Sequence, residues 1–170
     1  MVSPKNNTKV LDRFGVLAKR FCRIVDSAPH LDRTEFVELI YQSLPRLIDQ
    51  AIQLPDVEPS KRRRRKLPKG VSPVEWQQLF KSLRDKLGDW DLYREVFDPM
   101  RDTEAIFGSL ADDIADIYRD LKKGLELKET SKRPPEEVIW EWKFSFQCHW
   151  GEHATGGLRA IYFRLQRYTL

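Results

Sequence analysis

Apolar residues in this chain recur at steps of three and four, in segment after segment. No stretch alternates apolar and polar residues at period two for long enough to make a strand. The clearest case is Phe107, Leu110, Ile114, Ile117 and Leu121. Their 3-4-3-4 spacing is a heptad-type seam on a helix from about Asp102 or Thr103 to Gly124. Val10, Phe14, Leu17, Phe21 and Ile24 mark an earlier helix over 8–27. Phe36, Leu39, Ile40, Leu44, Leu47, Ile48 and Ala51 mark another that starts near Asp32 or Thr34, with Asp32 and Glu35 in a capping-box pattern. Pro45 lies inside that stripe and predicts a kink or break, because it lacks a backbone donor and crowds the preceding turn. The fold expected is therefore all-α: one domain over residues 1–170, a bundle of five or six helices with a long C-terminal helix.

Punctuation fixes the remaining boundaries. Ser72, Pro73 and Glu75 open a third helix whose apolar face is Trp76, Leu79, Phe80, Leu83 and Leu87, with Gly88 as its stop. Residues 89–101 are expected as an irregular helical connector that plugs one end of the core, ended by Asp98–Pro99. Pro134–Pro135 opens the last helix, from 136 toward 168. Its seam would be Ile139, Trp142, Phe146, His149, His153, Gly156, Ala160 and Phe163. Trp140 and Trp142 lie 200° apart on a helix, so only one of them can face the core. Residues 55–71, with four prolines before residue 74 and a dense cationic run, read as a mobile loop.

Two cysteines, Cys22 and Cys148, with no CxxC pair, argue against a disulfide framework or a cysteine zinc site. Both are expected as small buried hydrophobes. No apolar run approaches the roughly 18 residues that a membrane span needs. The N-terminal residues show no apolar signal segment. A cytoplasmic location is expected from these features.

Two segments carry chemistry. In DDIADIYRD, Asp113, Asp116 and Asp120 share one flank of the fourth helix, beside its seam, while Asp112 points elsewhere, toward solvent. Like charges at four-residue spacing repel, so a row of this kind calls for something cationic opposite. Arg159 or Arg164 would serve as ion-pair partners. In HWGEH, His149 and His153 stand four apart and point the same way, which is a metal-ligand spacing. Two readings stay open. The histidines hydrogen-bond carboxylates across the bundle, or they and one or more of the aspartates hold a divalent metal, as inward-facing carboxylates and imidazoles do in other bundles. Glu152 lies within the same segment. HWGEH also matches the H-x-x-E-H string of inverted zinc peptidases, but residues 154–170 hold no Asp or Glu to supply their further ligand.

The combination of DDIADIYRD, Trp140-Glu141-Trp142 and HWGEHATGGLRA resembles a bacterial domain-of-unknown-function family, the one numbered five-zero-six-three. The likeness is densest over about 90–165. It implies a helical fold and places Asp112, Asp113, Asp116, Tyr118, Arg119, Asp120, His149, Trp150, Gly151, His153, Leu158 and Arg159 at motif positions. It implies no activity. The chain departs from the pattern at Gly156 and Gly157, where members commonly carry larger residues. Tight packing of the last helix therefore does not follow from the likeness.

Lys61, Arg62, Arg63, Arg64, Arg65 and Lys66 form a run that could contact a polyanion such as nucleic acid by charge alone. No nucleic-acid motif or interleaved aromatic accompanies it. Residues 61–69 hold seven cations and no acid; with +4 overall, the rest of the chain sums to −3. The leading functional expectation is a non-catalytic helical binding or regulatory module, with a protein partner, built around the Asp/His polar site. The alternatives are a divalent-metal-binding bundle, including a hydrolase, and polyanion contact through 61–66.

Overall fold

The computed structural model describes residues 4–58, 68–130 and 133–166. The elements in order are α1 (Pro4–Asp26), α2 (Arg33–Ile52), α3 (Pro73–Leu87), β1 (Leu92–Glu95), β2 (Ile106–Ser109), α4 (Leu110–Thr130), α5 (Pro135–Ser145), a π-helical turn (Phe146–Trp150) and α6 (Gly151–Gln166). The expected all-α bundle is present, with a small hairpin added. The Lys61–Lys66 run, and the polyanion expectation that rests on it, lies outside the described residues.

Local signals act as the residues dictate. The Asp32 carboxylate accepts the Glu35 N–H, and Ser72 and Glu75 form a reciprocal capping box. Gly88 ends α3 at a positive φ of 55°, where a Cβ would be strained. Pro45 does not end α2, which runs from Arg33 to Ile52 with the proline inside it.

Helix α4 is the axis of the bundle. It packs on α1, α3, α5 and α6, and Leu110, Ile114, Ile117 and Leu121 are buried as the seam requires. Trp142, fully buried, packs its ring on Phe14 at 4.8 Å between centroids and donates its indole N–H to the Leu121 carbonyl. Gly124 lies under that indole, so any Cβ there would collide with it. Trp140 stays off the core and stacks on Phe144.

Several expectations are corrected. Residues 92–95 and 106–109 form an antiparallel pair, with Tyr93 opposite Gly108 and Arg94 opposite Phe107, rather than a helical connector. Helix four therefore starts at Leu110, not at 102 or 103, and Phe107 is an exposed strand residue instead of a seam residue. The physical reason lies at the helix start. Buried Asp91 accepts the Ser109 hydroxyl and the Ala111 N–H, and Ser109 Oγ accepts the Asp112 N–H. These bonds cap α4 from the strands and stop it from extending backward. Phe163, also expected in the core, is half exposed. Cys22 is buried, its thiol pushed up to about 12 chiefly by burial, whereas Cys148 is exposed.

The last helix is continuous but carries the π turn. The Gly151 N–H donates to the Phe146 carbonyl, one residue further than in an α-helix. A Cβ on residue 151 would collide with that same carbonyl oxygen, so glycine is what the turn requires. The turn buries Trp150 and leaves His149 facing α4.

Candidate functional site

Helix α4 presents Asp113, Asp116 and Asp120, and the π turn with α6 presents His149 and His153. Both histidines meet the aspartates directly. His149 Nδ1 is 2.9 Å from Asp120 Oδ2, and His153 Nδ1 is 2.9 Å from Asp113 Oδ1. The other nitrogen of each ring turns to the same atom. His149 Nε2 lies 3.3 Å and His153 Nε2 3.4 Å from Asp116 Oδ2. The rings themselves are 4.9 Å apart, edge to face. Gly157 packs beside this contact, where a Cβ would press on Asp113 Oδ2 at 3.3 Å.

The second oxygen of Asp116 is held elsewhere. Oδ1 accepts the Trp76 indole N–H from α3 at 2.6 Å and the Arg119 guanidinium at 3.0 Å. Trp76 is braced by stacking on Phe80, with planes 3° apart. Asp113 is held likewise: the Tyr93 hydroxyl donates to its Oδ2 at 2.8 Å. Tyr93 and Glu95 lie on one face of the hairpin, over Gly108, where a side chain would strike the Tyr93 ring.

Electrostatics follow from this burial. Burial pushes the Asp113 carboxyl up to about 6, against the opposing hydrogen bonds from His153 and Tyr93. Asp120 is raised for the same first reason, with His149 opposing. Asp112, expected in solvent, is half-buried, and its carboxyl is raised by burial and by the charge of Asp116. Burial disfavours the charged form of His153, but its bond to Asp113 and the charges of Asp113, Asp116 and Asp112 outweigh this. The ring titrates above the usual histidine range. Burial, then the Asp113 charge, raises the Tyr93 phenol, so it remains a proton donor.

Two expected members do not join the cluster. Glu152 is exposed and lines a shallow depression with Phe97 and Gln147. Arg159 is exposed, with its guanidinium over the Phe163 ring 6.0 Å away. Both corrections have one cause: on α6 the two residues project away from the face that carries His153. The cation that does face the aspartates is Arg119 of α4 itself. Its nearest guanidinium nitrogen is 3.5 Å from His149 Nε2.

Three participants were not assigned to the site from the residues themselves: Trp76, Tyr93 and Arg119. Trp76 carried a signal, because a buried indole needs an acceptor for its N–H. Tyr93 carried none, since its role depends on a hairpin that the residue spacing does not announce.

The sequence model of the family described as Domain of unknown function (DUF5063) matches residues 5–166. The crystal structure of protein BF1032 from Bacteroides fragilis superimposes with a TM-score of 0.76 over 91% of this chain and 90% of that one, at 23% identity. That likeness shows a shared fold. A comparison with curated proteins gave no match. Among the described residues, no helix is long and apolar enough to cross a membrane.

Proposed function

We propose that this chain, which belongs to the DUF5063 family, is a helical module that binds one divalent transition-metal cation through Asp116, His149 and His153. A single observation carries the reading: both Nε2 atoms converge on one carboxylate oxygen, Asp116 Oδ2, at 3.3 and 3.4 Å. Each Nδ1 lies against a carboxylate that orients its ring, which leaves the Nε2 edges of both rings and Asp116 Oδ2 facing one point. A divalent cation bound there takes the place of any proton that the Nε2 atoms carry.

The spacing suits one. Ligand atoms about 2.1 Å from a tetrahedral metal stand about 3.4 Å from each other. Asp116, His149 and His153 each offer a ligand atom within 4.8 Å of the others. Asp113 and Asp120 take the place of the carboxylates that orient metal-bound histidines and raise their basicity. Two imidazoles and one carboxylate suit Zn(II), Fe(II), Co(II) or Mn(II) rather than Mg(II) or Ca(II). Three protein ligands leave positions for solvent or a small ligand, as a sensing or binding module needs. A reducing, cytoplasmic setting fits the two free thiols.

The competing reading takes the cluster as a self-satisfied polar network, with Arg119 supplying the positive charge. Elemental analysis of protein purified without a histidine tag separates the two, supported by thermal shifts with Zn(II), Mn(II) and Fe(II). The metal reading expects close to one equivalent of bound metal, or a saturable rise in Tm with at least one ion. Neither signal, after both apoprotein and as-purified protein have been tested, leaves the polar network standing.

A further inference from the structure

A second feature lies on the far side of Tyr93. A cavity of about 370 Å³ opens between the hairpin and α6. Its walls include Tyr93, Phe107 and Phe163, and three arginines, Arg94, Arg159 and Arg164, line it as well. Among the described residues, none of the three lies within ion-pair distance of a carboxylate. Arg94 sits over the Phe107 ring at 4.6 Å and Arg159 over the Phe163 ring at 6.0 Å. Arg164 donates to the Asp89 and Leu92 carbonyls, which fixes it at the rim. Phe107 and Phe163 remain 64% and 50% exposed, a large apolar area for side chains flanking one opening.

Glu95 is the one acid in this lining, and it lies beside the Tyr93 hydroxyl at 3.3 Å. The lining is thus cationic and aromatic next to an acidic site. Gly156 forms part of the floor. A Cβ there would crowd Glu95 Oε2 and the Tyr93 hydroxyl, both at 3.0 Å, so glycine keeps the space open.

We infer that this cavity binds a small organic anion, with an aryl or other flat apolar body between Phe107 and Phe163 and a phosphate or carboxylate head on the arginines. The size is within the usual range for small-molecule pockets, and apolar walls with a few convergent polar groups are their usual lining. Guanidinium forks match both head groups in a two-point contact.

The test is an amide NMR titration of the full chain in EDTA, so that its result stands apart from the metal reading. The probes are phenyl phosphate, phenylacetate and neutral benzyl alcohol. At least one of the two anions is expected to shift the Tyr93, Gly156 and Arg159 amides saturably, and benzyl alcohol is not. Arg94→Gln with Arg159→Gln, both exposed and outside the core, weakens that binding about tenfold or more. Arg20→Gln, an exposed position on α1, removes a positive charge and leaves the binding as it was. Gly156→Ala narrows the floor and weakens it too. The inference is overturned by no saturable shift at these amides with either anion, by equal binding of benzyl alcohol, or by unchanged affinity in the double variant.

Discussion

Tyr93 separates two regions built on opposite principles. On one side, three aspartates and two histidines are buried or half-buried, and nearly every polar atom has a partner within hydrogen-bond reach. On the other, three arginines, none of them in an ion pair with a carboxylate among the described residues, line an open, aromatic-walled cavity. In the first, Asp116, His149 and His153 are held from behind by Trp76, Asp120 and Asp113, and Asp113 in turn by Tyr93. In the second, Arg94 and Arg159 are exposed and lie over aromatic rings, while Arg164 is tied to backbone carbonyls at the rim. Pre-orientation of that kind favours a small, strongly coordinating cation. Guanidiniums resting on exposed rings, as those of Arg94 and Arg159 do, favour a larger anion with an apolar body.

The largest expected difference between the two comes from His149→Ala combined with His153→Ala. Metal binding should drop by more than about a hundredfold, because two of three ligands are gone. Phenylacetate binding should stay within about twofold. Equilibrium dialysis and the NMR titration read the two effects separately.

Asp113→Asn or Asp120→Asn comes next. Each keeps the shape but weakens the orienting bond to a histidine Nδ1, and metal affinity is expected to fall about 10–100-fold. Competition against a chromophoric chelator measures this. A change below about threefold for both variants would mean that these aspartates do not support a metal-binding ring.

A smaller effect separates the regions by pH. Between about pH 7.5 and pH 5.5, metal binding should weaken, because a bound imidazole must be unprotonated and protons compete for it as pH falls. Phenylacetate binding should hardly move, since arginine stays charged throughout and the probe stays ionised. Parallel pH responses would contradict the division.

The finest test is Tyr93→Phe. The ring still walls the cavity, but the hydroxyl that donates to Asp113 is lost. One hydrogen bond is worth about 1 kcal/mol, so metal affinity should change by about five- to tenfold. Anion binding should be almost unaffected.

How much of this was readable from the residues depends on distance along the chain. The three- and four-residue spacing gave the helices, because burial of a stripe is a local pattern. The facing of Asp113, Asp116 and Asp120 toward His149 and His153 was also readable, since spacing sets direction on a helix. The π turn was not. Residue spacing does not show why Gly151 is needed; only the position of the Phe146 carbonyl does. The hairpin was missed because four-residue strands are too short to show alternation, and because Asp91 and Ser109 act across 18 residues to cap α4. Tyr93 and the cavity depend on that hairpin, so they were out of reach with it. Arg119 came only from the family resemblance, because it pairs within its own helix at a three-residue step, while Arg159 offered a charge on the facing helix and turned outward.

Anomalous scattering from a crystal of the tag-free protein tests the central claim most directly. With Zn(II) or Co(II) added, diffraction collected on either side of the metal absorption edge locates the ion. The account predicts one strong peak about 2 Å from Asp116 Oδ2, His149 Nε2 and His153 Nε2. No peak among these atoms at saturating metal would contradict it.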